Sequence, residues 1–192
     1  MSLLISNIEH GWHGDAIGSR FAGAIRIEDG RIVDMGMLSP RADEQVLDAT
    51  SCVVTPGLVN THHHLFQSVL KGIALDASLD RWLGLVPYRF WPHIDEETLR
   101  VSARIGLAEL LLSGATTVCD HHYVFSERYD YDPATVLFEE AQALGVRFTL
   151  ARGGMAHGRD FGGTTPPAPV ETVQAFIDGV AATAGRWHDA SE

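Results

Sequence analysis

The chain has 192 residues, 14 basic against 25 acidic, for a formal net charge of −11. That field repels a phosphate backbone and argues against nucleic acid as a partner. A 45% hydrophobic content with no apolar run of the roughly 18 residues needed to cross a bilayer argues for a soluble globular chain without membrane association.

The N-terminus lacks the basic and apolar regions of a signal peptide, so the expected compartment is the cytoplasm. Residues 1–51 read as short strands. Leu3-Leu4-Ile5 is apolar, Ala24 to Glu28 alternates, Asp29-Gly30 is a hairpin turn signal, and Arg31 to Met35 returns. A further strand is predicted around Gln45–Asp48. The pattern changes at Cys52. Residues 52–60 are almost wholly apolar, as expected of a strand covered on both faces. A long connection rich in aromatic residues and proline follows.

Asp95 is then a good N-cap, Glu96 and Glu97 suit the positive end of a helix, and Gly114 is a good stop. Within that helix Val101, Ile105, Ala108 and Leu112 recur at helical spacing and predict the core-facing stripe. Strands over 115–119 and 146–150 alternate with helices over 133–144 and 170–184. Such alternation implies parallel strands joined by crossovers, three βα units in 52–192. Cys52 and Cys119 lie in apolar stretches and read as small buried residues, not as a disulfide.

The sharpest local feature is Asn60-Thr61-His62-His63-His64, directly after the first apolar strand. In extended backbone, side chains two apart share a face, so His62 and His64 point together and His63 points away. Two neutral imidazoles at a strand's C-terminal end can hold a divalent ion, and α/β enzymes build their sites at that end. The competing reading is a solvated, inert histidine cluster. The α/β context after Pro56-Gly57-Leu58-Val59 favours the ligand reading. Gln67, three residues on, offers a carboxamide donor and acceptor to a ring amide, although a surface glutamine fits the pattern as well.

The run from Val54 to His64 resembles the first metal-binding strand of the amidohydrolase superfamily. Trp82-Leu83, Ser113-Gly114-Ala115-Thr116-Thr117, Asp120-His121-His122-Tyr123 and Ala151-Arg152-Gly153 extend the likeness over nearly the whole chain. It is most similar to the branch of 8-oxoguanine deaminases, isoxanthopterin (pterin) deaminases and triazine hydrolases. The resemblance implies the N-terminal part of a (β/α)8 TIM-type metallo-dependent hydrolase barrel, preceded by strands of a small β-sandwich in 1–51. It implies His62 and His64 as ligands of one divalent ion, Zn or Fe, and a homo-oligomer at full length. The other ligands and the acid/base residues fall outside the three βα units. An eight-stranded barrel needs about 250 residues, so the chain is expected to be truncated and inactive alone.

By the same resemblance Tyr88 and Arg89 lie in a substrate-selecting loop, and Arg152 takes a substrate-side position. For Arg152 a salt bridge is the alternative. His122 is a candidate for the layer behind the ligands. The activity implied is hydrolytic deamination of a small purine- or pterin-like heteroaromatic ring, with residues 82–90 leaning toward the pterin variant. A triazine chlorohydrolase or aminohydrolase and a non-catalytic amidohydrolase-like module are the alternatives.

Overall fold

The computed structural model describes residues 2–156 and 171–189, arranged as two compact units, Met1–Gly57 and Leu58–Glu192. The division falls after Gly57 rather than after residue 51. The reason is local: Val53–Val54 pairs with the first strand of the chain and so belongs to the first sheet.

The first unit is a sheet of five strands: β1 (Ser2–Trp12), β2 (Arg20–Glu28), β3 (Arg31–Gly36), β4 (Gln45–Asp48) and β5 (Val53–Val54). Their order is β3-β2-β1-β4, with β5 also on β1. β2 and β3 form the predicted hairpin. Asp29 and Gly30 both have positive φ, 49° and 78°, the geometry a two-residue turn needs to follow strand twist. Ile8, Ile25 and Ala49 make its small core, with Ile5, Phe21, Ile27 and Val54 against them. Arg26 is buried beside this core and bonds Glu44 at 2.7 Å, tying β2 to the segment before β4.

The second unit holds a parallel sheet in the order β6-β7-β8, formed by Leu58–His63, Ala115–His122 and Arg147–Arg152. The long connection after β6 is helical rather than irregular. A 3-10 turn covers Leu65–Leu70, and α1 (Leu79–Leu85) and α2 (Pro87–Phe90) follow. Three longer helices follow among the described residues: α3 (Glu96–Leu112), α4 (Pro133–Leu144) and α5 (Val173–Trp187). Their starts obey capping chemistry. Asp95 accepts from the Thr98 amide, Asp132 from Ala134 and Thr135, and Thr172 from Ala175. Gly145 ends α4 in the left-handed conformation, at φ 70°. Val170, the expected start of the last helix, lies outside the described residues.

Two expectations are corrected here. The apolar run from residue 52 to 60 is not one covered strand. Thr55-Pro56-Gly57 splits it, proline removing a ladder donor, and Cys52 is exposed ahead of the break. β6 is then an edge strand, and Leu58 and Val59 are exposed. On α3 the buried face is Leu99, Ala103 and Leu107, with Ser102 and Gly106, while Leu112 is 90% exposed. The helix carries two apolar stripes two positions out of phase. The small residues Ser102, Ala103 and Gly106 decide between them, because they let the 3-10 turn approach closely. The core of the unit joins Leu65, Phe66, Trp91, Leu99, Leu107, Val118, Leu137 and their neighbours.

Candidate metal centre

β6 and β7 are neighbours in the sheet, and their pairing is irregular where the histidines begin. Asn60 faces Val118 and His63 faces Asp120, so three steps along β6 match two along β7. The extra residue is a bulge, a device that re-aims side chains at a strand end. Beyond it His62 and His64 converge: their Nε2 atoms are 3.2 Å apart and the rings meet edge-on at 82°. His64 Nδ1 donates to the carbonyl of His121 at 2.7 Å, which leaves the lone pair on Nε2. Burial also lowers the pKa of His64, favouring the neutral form that can ligate.

These observations fit a metal. Two nitrogens each about 2.0–2.1 Å from a tetrahedral zinc stand about 3.3 Å apart, close to the observed spacing. Among the described residues no third histidine, cysteine or carboxylate joins the pair in a metal-binding cluster. The pair alone would supply only part of a coordination shell.

His63 is half-buried and its ring reaches toward α3. It lies by Gly106 of α3, and its Nδ1 is buried without a hydrogen-bond partner among the described residues. His121 stacks on His62 with centroids 4.1 Å apart, and its Nε2 donates to the Thr61 carbonyl at 3.3 Å. Asp120 is completely buried. Its Oδ1 accepts from the Leu65 amide at 2.7 Å, and burial pushes the carboxyl up to about 7. No spacing rule marks His121 or Asp120 in advance. Their signal is adjacency: residues 120–122 end β7 beside the end of β6.

A cavity of about 430 Å³ opens over the histidines, walled by Gln67, Leu75 and Trp82 among others. Gln67 lines it, its Nε2 donating to Tyr123 Oη at 3.4 Å. Tyr123 packs edge-on against His64 with centroids 5.2 Å apart, and burial holds its hydroxyl protonated, with a pKa up to about 12. Tyr88 and Arg89 do not line this cavity. α2 turns Tyr88 onto Trp91 at the edge of the core and leaves Arg89 exposed.

Arg152 is committed elsewhere too. Its guanidinium bonds both oxygens of Glu171, both side chains are 7% exposed, and it stacks over Phe125 at 3.9 Å. The structure thus shows the ion pair weighed as its alternative. His122 is buried between Phe66 and Phe125 and donates Nε2 to the Val124 carbonyl at 3.1 Å. Burial depresses its pKa to about 3, so it is neutral. The contact behind a ligand is made by the backbone of His121 instead.

A sequence profile of the amidohydrolase family matches residues 53–187. The chain is 48% identical over 170 residues to an isoxanthopterin deaminase from an unknown prokaryotic organism, covering 87% of this chain and 35% of that protein. It is 36% identical over 180 residues to an 8-oxoguanine deaminase of Pseudomonas aeruginosa, covering 90% and 39%. Its structure superposes on the atrazine chlorohydrolase of Arthrobacter aurescens complexed with zinc, with a TM-score of 0.86 and 28% identity, over 98% of this chain and 44% of that one. The chain therefore spans less than half the length of these relatives, and its sheets and helices correspond to the opening of the TIM-type metallo-hydrolase fold. With its paired histidines at the end of β6 and that match across most of its length, the chain belongs to the amidohydrolase family.

Proposed function

We propose that the protein containing this chain is a zinc-dependent hydrolase that removes an amino group from a purine- or pterin-like ring, with isoxanthopterin and 8-oxoguanine as the substrate class. The observation that carries this reading is the convergence of His62 Nε2 and His64 Nε2 at 3.2 Å, with His64 locked from behind by the His121 carbonyl. Its support in kinship is the two deaminase relatives.

His62 and His64 would hold a divalent ion, which when bound would supply Lewis-acid activation of water at the amine-bearing ring carbon. The chain's own residues bind and orient. Burial favours the neutral form of His64, and its Nδ1 hydrogen bond to the His121 carbonyl fixes the ring so that Nε2 would face the ion. Gln67 points its carboxamide at the cavity, where it pairs with a ring lactam or amidine. Trp82 and Leu75 give the cavity the flat apolar wall that suits a heteroaromatic ring.

The test is release of ammonia by the full-length enzyme from isoxanthopterin, 8-oxoguanine, guanine and cytosine, with metal content measured in parallel. Turnover of isoxanthopterin or 8-oxoguanine is expected. His62→Ala with His64→Ala is expected to abolish both metal and turnover. Silence on all four rings in zinc-loaded protein would sink the deaminase reading. Chloride release from a chlorotriazine would move the assignment to the activity of the structural neighbour.

A further inference from the structure

Asp120 is a costly residue to bury. It is fully enclosed at the end of β7, and of its two carboxyl oxygens only Oδ1 has a visible task, accepting the Leu65 amide at 2.7 Å. Oδ2 is buried with no hydrogen-bond partner among the described residues. An apolar side chain would fill the same place without the desolvation penalty. Placements that break such a rule concentrate where function requires them.

The task lies at one atom of the main chain. β6 ends at His63, and His64 leaves the extended conformation, with φ −130° and ψ 81°, to start the 3-10 turn. That turn has no cap from the His64 side chain, so the amide of Leu65 would be a buried, unmet donor. Asp120 meets it from the neighbouring strand. One residue on, the carbonyl of His121 takes the Nδ1 proton of His64. His64 is thus gripped at both ends, its backbone through Leu65 and its ring through His121, by two consecutive residues of β7.

We propose that Asp120 is a positioning residue for His64, its carboxyl fixing the chain immediately after the ligand so that the imidazole nitrogen stays convergent with that of His62. This rests on the reading of His62 and His64 as metal ligands. What does the positioning is the acceptor atom and its place, not the charge of the carboxylate.

The experiment is a zinc competition titration of full-length apoprotein against a chromophoric chelator, alongside the melting temperature of each apoprotein. Asp120→Ala is expected to bind zinc at least about tenfold more weakly, the range seen when the partners of metal ligands are removed. Asp120→Asn, which keeps an acceptor at Oδ1, is expected to stay well short of that tenfold loss. Should the alanine variant not fold, Asp120→Ser, whose hydroxyl stops short of Leu65, is read in the same titration.

A purely structural role would lower the apoprotein melting temperature and leave zinc affinity at the wild-type value. That result, a loss short of tenfold, or an asparagine variant as weak as alanine overturns the proposal. The His62→Ala, His64→Ala variant separates the two levels. If it binds zinc like wild type, the metal reading itself fails and this inference falls with it. If it loses zinc while Asp120→Ala does not, the metal reading stands and only the positioning role fails.

Discussion

At Gly106, in the middle of α3, an added Cβ would come within 2.5 Å of Ser68 Oγ and 2.7 Å of Leu65 Cδ2. Intrinsic helix propensity favours alanine over glycine there by about 1 kcal/mol. The clash acts the other way, on two side chains that are themselves buried in the 3-10 turn. Overpacking of this kind costs typically about 1–3 kcal/mol, so it wins. Gly106→Ala is expected to lower the melting temperature of the full-length protein, and by shifting the turn that begins at Leu65 to weaken zinc binding at His64. A melting temperature raised by the substitution would mean that the turn moves freely relative to α3.

At the scale of elements, the first sheet depends on one enclosed ion pair. Arg26 on β2 bonds both oxygens of Glu44, and Ser2 at the start of β1 donates to Oε1 of the same carboxylate at 2.6 Å. The hydrogen bond from Arg26, more than any other influence, holds the Glu44 carboxyl down at about 2, against an ordinary value of 4.5. A carboxyl depressed on folding contributes stability that is fully present above its unfolded pKa and is lost as pH falls through its folded pKa. Stability of the first unit is therefore expected to decline from about pH 4.5 toward pH 2, and Glu44→Gln to flatten that decline. Thermal melts at stepped pH check this. An unchanged slope in the variant would place the acid sensitivity elsewhere.

The elements also show what the sequence makes legible. Asp95 announces the start of α3 because capping is local chemistry, and the bounds 133–144 expected for α4 are kept by the structure. The Asp29-Gly30 hairpin is legible for the same reason. The buried stripe of α3 is not, since periodicity offers both the Leu99–Ala103–Leu107 and the Val101–Ile105 phases, and only the neighbouring turn selects one. In the site, the spacing of His62 and His64 is enough to mark them as a pair. Nothing along the chain reveals that the His121 carbonyl lies 2.7 Å from His64 or that Asp120 bonds Leu65, because those meetings come from the β6–β7 register. Arg152 illustrates the converse: a residue type suited to substrate is occupied by Glu171, a partner 19 positions away.

For the molecule as a whole, the ratio of apolar surface to cover is the informative quantity. The described sheet of the second unit ends on both sides in unpaired strands, β6 and β8. On β6 Leu58 and Val59 are more than half exposed, and in the first unit so are Leu47 and Val53. Strand edges flanked by exposed aliphatic side chains are templates for association. The relatives, more than twice as long, have further chain with which to cover such surfaces. The chain is accordingly expected to associate rather than to stay monomeric in water. Size-exclusion chromatography with light scattering distinguishes the cases: a stable, monodisperse 20.9 kDa monomer would show that the exposed aliphatic residues are tolerated in water without a covering partner.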